Sequence, residues 1–109
     1  FSLAYPEKSS NWTNRFQMFA TQNMWTFILL DSYNGRLWQV QYSTQDLDNL
    51  FCIPINKNEL VENNERCVFS IQPLTSMYQY YLINDNTGDM WKFQWSTKGD
   101  DYRWIERFR

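Results

Sequence analysis

Few residues in this chain have the types and spacing that chemistry requires. Cys52 and Cys67 stand far enough apart for one disulfide, which would close a loop of roughly 15 residues and contribute about 3 kcal/mol on the chain-entropy model. The alternative is two thiols acting as small hydrophobes. Two cysteines in a chain without His do not make a metal site. The absence of His also removes the commonest general base, and with it any Ser–His or Cys–His nucleophile pair. Asp48 and Asp101 occupy matching places in a duplicated sequence, but both sit in polar, turn-like surroundings. Oxygens cluster at Asp85, Asn86 and Asp89 as in a calcium loop. The matching first-copy positions are Ser32, Tyr33 and Arg36, a poor set for a cation. With only three Gly, no phosphate-cradling loop can be drawn. The residues therefore point away from catalysis, and neither a cofactor nor a metal is expected.

What remains is surface chemistry. Aromatics make up 19% of the chain, and Asn and Gln are frequent. Aromatic faces stack on sugar rings or on other proteins, and amide side chains supply hydrogen bonds. Trp12, Tyr33, Tyr81 and Tyr102 lie outside the regular apolar pattern and are the candidate ligand-binding residues. The net charge is −2 with no basic stripe, which disfavours nucleic acid. No apolar run reaches the roughly 18 residues of a membrane span. Phe1 does not open a signal peptide, so the chain reads as a mature or trimmed form, with export to periplasm or cell surface favoured over cytoplasm.

The elements that would carry these residues come from the duplication. Sliding the sequence by 53 positions places Phe16 on Phe69, Leu29 on Leu82, Gly35 on Gly88, Trp38 on Trp91 and Gln41 on Gln94. Conservative pairs such as Phe27 with Tyr80, Val40 with Phe93 and Tyr42 with Trp95 fill the gaps. The units run from about 14 to 55 and from 67 to 108 within one domain, 1–109. Between them lies a polar connection, 56–66, in which Leu60 and Val61 can pin the segment down or mark a short helical turn.

Each unit reads as four strands. They are Arg15–Phe19, Trp25–Asp31, Arg36–Tyr42 and Leu50–Ile55, then Val68–Gln72, Tyr78–Asn84, Asp89–Trp95 and Tyr102–Phe108. Asp31 to Gly35 and Asn84 to Gly88 read as tight hairpins. The first side chain of each accepts backbone N–H bonds, and the Gly turns left-handed. In the third strand Trp38, Val40 and Tyr42 alternate with Gln39 and Gln41, which predicts an aromatic core face and a wet amide face. The second strand is apolar on both faces, with Phe27 and Leu29 against Ile28 and Leu30, so both sides should be covered. The expected fold is all-β, two similar four-stranded antiparallel units. They could pack as a pseudo-twofold sandwich or barrel, or as propeller-blade-like units.

The stretch from Arg15 to Ser43, "RFQMFATQNMWTFILLDSYNGRLWQVQYS", resembles a unit that occurs twice in uncharacterised small proteins of gut Bacteroidetes and related bacteria, with a phrase of the form WTFILLD…GR.WQVQWS. The resemblance covers both halves. The second copy departs from it, with Asp89 in place of Arg and Lys92-Phe93 in place of Gln-Val. It implies a bacterial origin and a two-unit architecture, and no mechanism. Leu30-Asp31, Gly35 and Trp38 are weakly similar to the "LD…G…W" phrase of quinoprotein-type propeller blades, with the Trp one residue closer and so on the other strand face. Together the residues predict a non-catalytic binding module that engages another protein through an aromatic, Asn- and Gln-rich β surface. The alternative is a glycan-binding module. Exposed strand edges also leave a homo-oligomer open.

Overall fold

The computed structural model describes residues 14–42, 50–61 and 69–109. Trp12, Asp48, Cys67 and the later part of the connection, 62–66, lie outside them. The described chain forms eight strands: β1 (Phe16–Ala20), β2 (Thr26–Asp31), β3 (Arg36–Gln41), β4 (Phe51–Pro54), β5 (Phe69–Pro73), β6 (Gln79–Asn84), β7 (Met90–Gln94) and β8 (Trp104–Arg107). They make two antiparallel four-stranded meanders, β1-β2-β3-β4 and β5-β6-β7-β8. The protein is all-β, in two tandem four-stranded units. Asp100–Tyr102 form one turn of 3-10 helix, so β8 begins two residues later than its sequence suggests. Among the described residues no helix is long and apolar enough to cross a membrane.

The duplication persists in the register. Leu29 pairs with Trp38 and Phe27 with Val40 in the first sheet. Leu82 pairs with Trp91 and Tyr80 with Phe93 in the second. Both hairpins use the same local chemistry. Asp31 Oδ1 accepts from the Tyr33 N–H at 3.1 Å, and Asn84 Oδ1 from the Asn86 N–H at 2.9 Å. Gly35 and Gly88 then donate back to the carbonyls of Asp31 and Asn84 with φ of 82° and 80°. Only glycine adopts that conformation without strain.

The sheets stack face on face around one core that includes Ile28, Leu30 and Leu37 of the first and Leu82, Trp91, Phe93 and Trp95 of the second. Their strands run in the same sense. Phe69 N–H donates to the Ser32 carbonyl near the hairpin end, and Ser96 N–H donates to Gln39 Oε1 further along. The connection leaves β4 through Asn56, which is buried and accepts from Leu37 N–H at 2.8 Å while donating to the Gly35 carbonyl at 3.0 Å. Leu60 then packs against Gly35 and its N–H bonds the Asn34 carbonyl.

The faces in contact correct two expectations. The second unit turns its aromatic face inward: Trp91, Phe93 and Trp95 are buried. The first unit does the opposite. Leu37 and Gln39 are fully buried, and Trp38, Val40 and Tyr42 point away from the second sheet and are only half-buried. The amide face of β3, expected to be wet, is therefore the core face of the first unit. The physical reason lies in β2, whose Thr26, Ile28 and Leu30 are all at 0% exposure and whose other face is also apolar. Such a sheet can bury either face. Because unlike faces meet, a twofold axis does not relate the units. They stack head to tail.

Candidate interaction face

Head-to-tail stacking leaves one face of the first sheet without a covering layer among the described residues. Antiparallel pairing aligns its side chains in rows. Leu29 stands between Met18 of β1 and Trp38 of β3, with Pro54 beyond. Phe27 stands between Ala20 and Val40, with Cys52 beyond. Phe16 is 48% exposed and Trp25 36%, while Leu29, Trp38 and Val40 are half-buried. The rings pack on one another: Trp25 on Tyr42 edge-on at 5.3 Å, Phe27 on Tyr42 at 6.1 Å and Phe16 on Trp38 at 6.4 Å. A contiguous apolar face of this kind marks an interaction surface more often than scattered single residues do.

Two guanidinium groups border it. Arg36 lies 4.8 Å over the Trp38 ring. Arg15 lies 5.3 Å over Phe16 and 4.8 Å over Tyr33, while its Nε and Nη2 donate to both oxygens of Asp31 at 2.9 and 3.0 Å. That bond to Asp31 raises the Arg15 pKa further above its ordinary value. The Asp31 side chain is almost wholly buried under this pair. Cation–ring contacts hold the aromatic side chains in place, which lowers the entropy lost when something docks on them. Cys52 is a free, exposed thiol at the margin of the face, and partial burial pushes its pKa up.

The outer face of the second sheet is more mixed. Tyr81, Ile83 and Met90 form its apolar centre, and Phe108 packs edge-on against Tyr81 at 5.6 Å. Lys92 and Glu106 interrupt it as a cross-strand pair. Among the described residues, the hollows elsewhere include two bordered by tyrosine. A cleft of about 510 Å³ opens between the end of β1 and the β5–β6 turn, with Phe19, Ile71, Met77 and Tyr80 in its walls. A smaller one of about 210 Å³ is bordered by Tyr78, Gln94, Trp95 and Tyr102.

Of the four sequence-predicted ligand residues, Tyr33, Tyr81 and Tyr102 fall on separate surfaces. Trp12 lies outside the described residues. Tyr33 is at the tip of the β2–β3 hairpin beneath Arg15. Tyr81 is on the outer face of the second sheet. Tyr102 is 50% exposed in the 3-10 turn, with Lys98 Nζ 5.7 Å from its ring. The structure does not bring these three tyrosines together. The oxygens of the second hairpin are engaged locally: Asp85 Oδ1 accepts from Ser70, Asp89 Oδ2 from Thr87, and Asp89 Oδ1 pairs with Arg107 at 3.0 Å. Leu29, Trp38 and Val40 were missed as surface candidates because their alternation looks like core. The signal that could have found them is the two-sided apolarity of β2, which one neighbouring sheet cannot cover. No family model, curated protein or solved structure matches this chain.

Proposed function

We propose that this protein is a non-catalytic binding module whose working surface is the outer face of the first sheet, and that another protein surface covers it. The observation that supports this reading is the pairing of Leu29 with Trp38 and of Phe27 with Val40 on a face that no other described residues cover with a layer. The matching pairs in the second sheet, Leu82 with Trp91 and Tyr80 with Phe93, are buried under protein. A β face of aliphatic and aromatic residues with bordering Arg has the composition of an interface centre.

A photo-crosslinking phenylalanine analogue at Val40, introduced in the cells that make the protein, tests the reading. Protein adducts are expected at position 40 and not at the solvated Asp101. Absence of any adduct at position 40 overturns it. The second reading, a glycan module, draws on the half-exposed Tyr102 beside Gln94 and Thr97 at the smaller hollow. It predicts a tryptophan fluorescence change with oligosaccharides that Tyr102→Ala abolishes.

A further inference from the structure

The internal junction between the two units is a template for what covers the outer face of the first. In that junction Leu82, Trp91, Phe93 and Trp95 of the second sheet lie against a core that includes Ile28, Leu30, Leu37 and Ile55 of the first unit. Moving back by the repeat length turns Leu82, Trp91, Phe93 and Trp95 into Leu29, Trp38, Val40 and Tyr42, the outer face of the first sheet, which has no covering layer among the described residues. Moving forward turns Ile28, Leu30, Leu37 and Ile55 into Tyr81, Ile83, Met90 and Phe108, the apolar centre of the outer face of the second sheet. Both halves of another such junction are therefore present on the molecule, at its two opposite ends, and each is apolar at the positions that form the internal core. From this we infer that the occupant is a second copy of the chain, docked head to tail, with the outer face of its second sheet on the outer face of the first. The inference rests on the interaction reading above and names its partner.

The contact is heterologous, since each copy gives a different face. Heterologous contacts close into a ring or grow into a filament. Propellers close with roughly four to eight blades, which is two to four copies of a two-blade chain. The junction between copies is weaker than the internal one. Lys92 stands where Gln39 does and has no acceptor to offer, so the buried bond that Gln39 Oε1 accepts from a backbone N–H is not repeated. Glu106 likewise replaces Ile53. Assembly is thus concentration-dependent.

Light scattering on the full chain over a wide concentration range, with Leu29→Arg and Ile83→Arg, tests this. The wild type is expected to reach multiples of 13.4 kDa, and each variant alone to stay monomeric. Mixed in equal amounts, the two variants are expected to form a heterodimer that does not grow, because one intact face remains on each. That result also shows that both variants fold. Blocking Cys52 with a bulky maleimide in a Cys67→Ser chain, which leaves the residues of both faces unchanged, is expected to dissociate the assembly. A wild type that stays monomeric at every concentration overturns the inference. So does a dimer that Leu29→Arg breaks and Ile83→Arg leaves intact, since that is a twofold contact. A position-40 adduct to a different protein with a monomeric wild type overturns this inference alone and leaves the interaction reading standing. Absence of any adduct overturns both.

Discussion

Gln39 Oε1, in the first unit, accepts a hydrogen bond from the backbone N–H of Ser96, in the second, at 3.1 Å. Gln39 is fully buried, and its Nε2 donates to Gln41 Oε1 at 3.1 Å. The guanidinium of Arg103 closes the group by donating to the Ser96 carbonyl at 2.8 Å. The amide that sequence alone places in water thus locks one sheet to the other. Gln39→Leu keeps the volume but leaves the Ser96 N–H without its acceptor. The expected loss is about 1–3 kcal/mol in urea denaturation, the cost of a buried unsatisfied donor. Lys92→Leu, at the matching position on an outer face, is expected to stay within about 0.5 kcal/mol.

The two hairpin glycines share a backbone conformation but not their surroundings. A Cβ on Gly35 would stand 2.9 Å from Leu60 Cδ1 and 3.1 Å from Phe69 Cε1, whereas one on Gly88 meets nothing within 4 Å. Gly88→Ala should cost only the left-handed strain of about 1–2 kcal/mol. Gly35→Ala should cost more, because Leu60 and Phe69 must also move. Thermal melts of the pair check the order. Equal losses would show that the connection yields freely.

Asn56 does the work of a strand backbone at a place where the chain leaves the sheet. Its side chain occupies both a donor and an acceptor of the first sheet, the Leu37 N–H and the Gly35 carbonyl. Asn56→Ala strands two buried groups at once and is expected to destabilise by about 2–4 kcal/mol, from two such penalties. Hydrogen exchange at Leu37 should rise in this variant well beyond the change at Leu82, which lies in the other sheet.

Cys52 reports on the outer face through its chemistry. Only the thiolate reacts with alkylating agents, and burial raises this thiol's pKa. Its iodoacetamide reaction should therefore be slower at neutral pH than that of a free cysteine, with a midpoint displaced to higher pH. The linkage has a defined sign. Between the unfolded and folded pKa values the unfolded chain has lost the proton that the folded chain keeps, so stability falls as pH rises through that window. A midpoint below that of free cysteine contradicts the desolvated placement.

How much was legible in the sequence follows from the range of the forces involved. The strands and hairpins rest on local physics. Alternation sets the strands, Asp31 and Asn84 bond N–H groups two residues on, and Gly35 and Gly88 take a conformation that other residues resist. These signals sit within a few positions of one another, and the duplication states them twice. The late start of β8 is a small departure, caused by the 3-10 turn of Asp100–Tyr102. Which face each sheet buries is a different kind of question. In the second unit Lys92 and Glu106 mark the side away from the core, so alternation answers it. In the first, Ile28 and Leu30 on one side match Phe27 and Leu29 on the other, so β2 carries no preference, and the alternation of Trp38 and Val40 with Gln39 in β3 points to the face that stays outside. Only the arrival of the second sheet decided the matter, by giving Gln39 a buried backbone N–H to accept from and leaving Trp38 and Val40 outside.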